Sequence, residues 1–304
     1  CGSGMKAVMQ AADAVKAGSA QIVVAGGMES MSNAPYLLEK ARAGYRMGHG
    51  KTTDHMFQEG LEDAETGLSM GILAQEMADK KGYTREQQDA FAISSLNKAV
   101  TAINNGYFKA EIAPVTVSSR KGDVVVEQDE QPLNAKADKI PTLRPAFKKD
   151  GTITAANSSS ISDGASALVI TSEEIAAERG LEPVAKILAY ASHSQHPSEF
   201  SIAPMGAIEK VLKQTGWTAA EVDLWEINEA FAMVTMAAMD AFNLDEAKVN
   251  VNGGACALGH PLGSSGSRII VTLIHALQRT GGKKGIAALC IGGGEATAVA
   301  VELI

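Results

Sequence analysis

Apolar residues recur at Met5, Val8, Met9, Ala12 and Val15, the three-and-four spacing of a helix that buries one face. Gly18 ends the pattern. The run Ile22 to Ala25 behind it reads as a buried strand closed by Gly26 and Gly27. Helical spacing returns over 71–81 and 85–104, and Thr84-Arg85-Glu86-Gln87 fits a capping box at the second start. Residues 112–118 and 124–128 read as a hairpin turning at Lys121-Gly122-Asp123. A Pro-punctuated loop follows, then the small polar stretch Gly151 to Ser162, which suits a loop touching a ligand, and a strand-like run over 163–172. From Pro183 the pattern alternates: strand 184–190, helix 205–215, strand 222–227, helix 229–242, strand 249–251.

The two ends of the chain match. Cys1-Gly2-Ser3-Gly4 and Gly263-Ser264-Ser265-Gly266 each lead through a helix into an apolar strand, a run of glycines and a glutamate, Glu29 or Glu295. This is an internal repeat. The second copy is preceded by about eighty residues of alternating strand and helix, 183–263, and the first by none. The repeat therefore predicts a comparable upstream segment and a first half that is truncated. It divides the chain into 1–32 with 163–182 as the first half, 33–162 as an inserted loop domain, and 183–304 as the second half.

A chain of 304 residues that is 45% hydrophobic and 20% charged has an ordinary globular, enzyme-like composition, long enough for two domains or one large α/β domain with an insertion, and no run long enough for a transmembrane helix. The net charge of −8 argues against a nucleic-acid surface. Cys1, Cys256 and Cys290 show neither metal-ligand spacing nor a disulfide framework, which points to a reducing compartment and to no metal.

Asn250 to Gly266 holds five glycines in 17 residues, with His260 as its one ionisable side chain. Such a stretch lets backbone pass close to a ligand, or is a tight turn with a capping histidine. Cys290 opens into Gly292-Gly293-Gly294, where a thiol can act as acid or base beside backbone N–H donors; a core cysteine before a turn is the plain alternative. Cys1 stands at a predicted helix start, where the dipole favours a thiolate; packing under the turn is the alternative. Asn228-Glu229 reads as an N-cap and first-turn acid, or as an amide holding a water or substrate oxygen. Cys256 reads as core or lining, and His49, His55, His193, His196 and His275 as surface or packing residues. The glycine spacing at 259, 263 and 266 does not fit a dinucleotide fingerprint.

Together CGSGMKAV at Cys1, VAGGMESMS at Val24, NEAFA at Asn228, the loop 249–266 and CIGGG at Cys290 resemble the thiolase family. RPAF at Arg144 and GTITAAN at Gly151 extend the resemblance along the whole chain. It implies an α/β thiolase fold of duplicated βαβαβαββ halves layered αβαβα. It also implies reversible Claisen condensation of two acetyl-CoA to acetoacetyl-CoA and CoA through S-acetyl-Cys1. By the same resemblance His260 activates Cys1, Cys290 moves the α-proton, Asn228 positions a water in one oxyanion hole, and the N–H groups of Cys1 and Gly292 form the second. Ser159, Phe147 and Met70 line the CoA arm. The resemblance further implies a homotetramer or homodimer, no required cofactor beyond the CoA thioesters, a monovalent cation near Thr154–Asn157, and a cytoplasmic or mitochondrial-matrix location. Ser69 and Ala296 stand where many short-chain members carry His and Gly. A thiolase for longer 3-ketoacyl chains is the nearest alternative; a non-catalytic acyl-CoA-binding module and an N-terminal nucleophile hydrolase are the alternatives of other classes.

Overall fold

A computed structural model describes residues 1–304. Helix α1 (Ser3–Lys16) and strand β1 (Ile22–Ser30) come first. The hairpin β2 (Tyr36–Leu38) and β3 (Thr52–Asp54), helices α2 (Met70–Lys81) and α3 (Arg85–Asn104), the hairpin β4 (Val115–Ser119) and β5 (Gly122–Val126), and short α4 (Glu130–Asn134) follow. Then come β6 (Asp163–Thr171), α5 (Glu173–Glu178), β7 (Ala185–Ser194), α6 (Ala203–Thr215), β8 (Leu224–Ile227) and α7 (Ala232–Phe242). Short α8 (Ala255–Leu258), α9 (Leu262–Thr280), β9 (Lys284–Ile291) and β10 (Glu295–Leu303) complete the chain.

The repeat is visible in the sheets. β1 pairs antiparallel with β6, as β9 does with β10. The turn that joins β9 to β10 is Gly292-Gly293-Gly294, whereas everything from Met31 to Ser162 lies between β1 and β6. The second sheet has the order β7-β10-β9-β8, with β8 parallel to β9. Between the two sheets lie α1 and α9, whose Met5, Val8, Ile270 and Leu273 pack with Ala25, Leu289 and Val299 in one buried core. Ala207, Ile208 and Val211 of α6 cover the other face of the larger sheet with Trp225 and Ala298. The outer face of the β1–β6 pair is different: Val24, Met28 and Val169 are exposed. No helix is long and apolar enough to cross a membrane.

Several elements run beyond their predicted limits, for one reason. Gly26 and Gly27 do not close the first strand but lie inside β1, because a Cβ on Gly27 would stand 1.8 Å from the Gly263 carbonyl oxygen. Of the two Gly-Ser segments, Ser3-Gly4 and Gly263 to Gly266 lie inside α1 and α9, in their first turns. These helices cross there: a Cβ on Gly4 would meet the Gly263 oxygen at 2.8 Å, and one on Gly266 the Met5 nitrogen at 2.4 Å. The glycines serve close packing of backbone on backbone, not chain reversal.

Three other expectations change. The predicted strand 249–251 is a single bridge from Val249 to Trp225. Asn250 takes φ +46°, and its side chain replaces the ladder by accepting from Ile227 N and donating to Ile227 O, both at 2.8 Å. Helix α7 starts three residues later than expected, with Phe231 as N-cap, so Asn228 and Glu229 are not its cap and first turn. The exposed β4–β5 hairpin turns at Arg120-Lys121, with Gly122 already paired to Ser119. By contrast α3 spans the predicted residues, and its capping box is formed by Thr84 and Gln87.

Candidate active site

Cys1 and His260 each stand two residues ahead of a helix, α1 and α9, and those helices meet at their glycines. Cys290 is the last residue but one of β9 and is buried. Gly2 fixes how near Cys1 comes to it, since a Cβ there would lie 2.3 Å from Ile291 Cδ1. Asn228 follows β8 directly, and its N–H donates to Ala288 O at 3.0 Å. The repeat and the parallel β8–β9 pairing thus deliver Cys1, Asn228, His260 and Cys290 to one region.

His260 is 4% exposed. Its Nδ1 is hydrogen-bonded to Ser265 Oγ, whose own proton goes to Pro261 O at 3.0 Å. A hydroxyl has one proton to give, so Nδ1 is the donor to Ser265 and Nε2 carries the free lone pair. Asn228 Nδ2 is 3.4 Å from Nε2 and 3.5 Å from Nδ1, so the amide lies over the ring instead of along either lone pair. Asn228 Oδ1 is buried without a protein partner. Burial lowers the His260 pKa to about 3, and burial pushes the Cys290 thiol up to about 12. At neutral pH the site therefore holds a neutral imidazole and a protonated second thiol.

The three residues assigned to the CoA arm gather around the segment after Asn228. Ser159 N donates to Ala230 O at 3.0 Å. Phe147 stands edge-on to Phe231 at 6.0 Å, and its ring covers Gly71. Met70 Sδ lies 3.2 Å from where a Gly292 Cβ would be, so it abuts the glycine turn after Cys290. Met70, Phe231 and Cys290 share one buried cluster, to which α2, α7 and β9 all contribute. Ser69, the departure beside Met70, is the N-cap of α2 and accepts from Ile72 N at 3.3 Å.

Two residues beyond the sequence reading organise the site. Ser265 is one; its only signal was a position five residues after His260. Glu229 is the other. It is buried, and its carboxylate accepts from Ser95 Oγ (2.7 Å), Asn250 Nδ2 (2.8 Å) and Cys256 N (3.1 Å), which pins the chain next to Asn228. Cys256 lines that corner, its thiol pushed up by burial. His49 and His196 are exposed, and His55, His193 and His275 are half-buried. No group of three or more His, Cys, Asp or Glu side chains is placed to hold a metal ion. The open groove of about 460 Å³ over α3, lined by Ser94, Asn97, Lys98 and Thr101, contains none of the candidate residues.

The thiolase N-terminal domain family matches residues 1–174 and the thiolase C-terminal domain family matches residues 181–303. The chain belongs to the thiolase family. Among relatives of this thiolase, the acetyl-CoA acetyltransferase of Escherichia coli K12 is 51% identical over 304 residues, 99% of this chain and 77% of that one. The structure of the Bacillus anthracis acetyl-CoA acetyltransferase superposes with a TM-score of 0.96 at 44% identity, covering 100% of this chain and 77% of that one. A thiolase of Ascaris suum solved in complex with coenzyme A gives 0.93 at 44% identity, covering 100% and 78%. The α/β thiolase fold expected from the motifs is therefore the fold of this chain.

Proposed function

We propose that the protein is an acetyl-CoA C-acetyltransferase that condenses two acetyl-CoA to acetoacetyl-CoA and CoA, and cleaves acetoacetyl-CoA in reverse. The observation that carries the reading is a second, buried thiol, Cys290, whose neighbour Ile291 packs against Gly2, the residue after Cys1. Plain acyl transfer needs one nucleophile; carbon–carbon bond formation also needs a base at the α-carbon.

In this reading Cys1 Sγ attacks the thioester carbonyl while its proton passes to His260 Nε2. The helix start favours the thiolate that forms. The Cys290 thiol gives its proton to the departing CoA thiolate, which leaves S-acetyl-Cys1 and a Cys290 thiolate. A thiol whose pKa burial holds near 12 makes a strong base once deprotonated, suited to taking the weakly acidic α-proton of the second acetyl-CoA. The resulting carbanion attacks the acetyl carbonyl, the Cys1 sulfur leaves, and His260 returns its proton. Each carbonyl oxygen becomes negative in turn. His260 and a water on the orphan Asn228 oxygen hold one; the Cys1 and Gly292 N–H groups hold the other. Ser159, Phe147 and Met70 line the approach of the CoA arm.

The finer architecture belongs to the same reading: paired βαβαβαββ halves in αβαβα layers, with residues 33–162 inserted into the first. So do assembly as a homotetramer or homodimer, and a monovalent cation near Thr154–Asn157. Light scattering tests the assembly, and equal rates in potassium and sodium would remove the cation. The test of the activity is a 3-ketoacyl-CoA chain-length series: acetoacetyl-CoA is cleaved best, and a preference for longer chains points instead to a general 3-ketoacyl-CoA thiolase.

A further inference from the structure

The segment that carries Asn228 and the turn that carries His260 are stitched to one strip of backbone, residues 157–160. Ala232 N donates to Asn157 O at 2.8 Å. Ser158 bridges Phe231, and Ser159 N donates to Ala230 O at 3.0 Å. On the next residue, Ser160 O accepts from His260 N at 3.2 Å. The strip therefore sets where both oxyanion-hole side chains sit relative to each other, although none of its own side chains reaches the reacting atoms.

The strip is anchored from the side away from the site. Asn157 is fully buried, and its Nδ2 donates to Asp89 Oδ1 (2.9 Å) and to Thr152 O (3.0 Å) while its Oδ1 accepts from Thr154 N (2.8 Å). Asp89, 4% exposed, is held in turn by Arg85 Nε at 2.6 Å. The Arg85 Nη2 spans the carbonyls of Ile140 (3.1 Å) and Leu143 (2.8 Å). An aspartate at 157 would face the Asp89 carboxylate at hydrogen-bond distance with no proton to share, so only an amide suits the position.

We propose that Asn157, braced by Asp89 and Arg85, is a positioning residue for acetyl transfer: it registers the Asn228 segment against the His260 turn through the strip 157–160. The inference rests on the acetyltransferase reading. Its consequence is that a pair of side chains outside the site controls the rate per competent site and not merely the yield of folded protein.

The experiment compares wild type, Asn157→Asp, Asp89→Asn and the swap Asn157→Asp/Asp89→Asn. Each protein is first titrated for active sites by its acetylation with acetyl-CoA, and thiolysis of acetoacetyl-CoA is then expressed per titrated site. In Asn157→Asp the kcat per site falls about tenfold to a hundredfold, the range for groups that orient a reacting residue. The fall is larger in kcat per site than any accompanying rise in the KM for CoA, which the strip also touches through Ser159. Asp89→Asn gives a smaller fall, and the swap, which restores a bond between residues 157 and 89 but leaves Thr152 O without the Asn157 Nδ2 donor, recovers part of the rate. A merely structural role lowers the titre and leaves kcat per site at the wild-type value; that result overturns the inference. A loss in Asn157→Asp that the swap leaves uncorrected overturns the Asp89 pairing. If Asn157→Asp fails to fold, Asp89→Asn carries the test, and a wild-type kcat per site in it overturns the proposal. Wild type that takes no acetyl group overturns the acetyltransferase reading itself, a separate failure.

Discussion

His260 has two neighbours that define what it can do. Ser265 takes the Nδ1 proton and Asn228 lies over the ring, so Nε2 alone faces the chemistry. Ser265→Ala frees the ring and the tautomer, and kcat is expected to fall about tenfold or more with KM little changed, measured by steady-state thiolysis. Cys290→Ala is expected to take the acetyl group on Cys1 yet turn over at roughly 10²–10⁴-fold lower rate, because the α-proton has no acceptor. Burial also gives His260 a signature in stability. Its folded pKa, about 3, is below the ordinary 6.5, so the unfolded chain binds the proton more readily between these values. The contribution is fully present above pH 6.5 and is lost as the pH falls toward 3. Denaturant unfolding between pH 7 and 4 should show a flatter dependence in His260→Asn than in wild type. Cys1, His260 and Cys290 were legible in the sequence because each is a lone reactive group beside glycines. Ser265 and Glu229 were not, since a serine in a Ser-rich turn and an acid before a helix carry no mark of the bonds they make.

Elements whose sequence reports local physics came out as read. The capping box starts α3 at Arg85, and Thr84→Ala is expected to cost about 1 kcal/mol in denaturant unfolding. Glycines were harder to interpret, because one composition serves two purposes. At Gly292–Gly294 they turn the chain, and Gly293 and Gly294 have φ near +90°. At Gly4, Gly27 and Gly266 they let α1, β1 and α9 touch, and nothing local distinguishes that from a turn. Gly27→Ala forces a methyl against the Gly263 carbonyl. The expected loss is on the order of 1–3 kcal/mol, with lower activity as α9 and His260 shift, read by unfolding and kinetics together. The strand expected at 249–251 was lost to Asn250, whose side chain imitates the ladder it interrupts.

On the scale of the molecule, the internal repeat was the most informative pattern, since it matched α1 and β1 with α9 and β9 before any coordinates; that β6 stands to β1 as β10 stands to β9 emerged from the sheet pairing. It could not give the depth at which polar groups sit. Glu226 of β8 is buried with one oxygen unpartnered, and burial raises its pKa to about 8 despite Arg268 3.8 Å away. A carboxyl raised in the fold contributes stability below its ordinary 4.5 and loses it as the pH rises toward 8. Glu226→Gln should therefore gain on wild type in thermal unfolding as the pH goes from 5 to 8. His260 and Glu226 thus act on stability with opposing slopes, and Glu111, raised by burial to about 7, adds to that of Glu226.

The central claim is that Cys1 carries the acetyl group and Cys290 handles the proton. Intact-protein mass spectrometry after mixing with acetyl-CoA, in wild type, Cys1→Ala and Cys290→Ala, tests it most directly. The account predicts one acetyl group on wild type and on Cys290→Ala, none on Cys1→Ala, and removal of the label by CoA. An acetyl group that persists in Cys1→Ala, or its absence from wild type that still cleaves acetoacetyl-CoA, would contradict it.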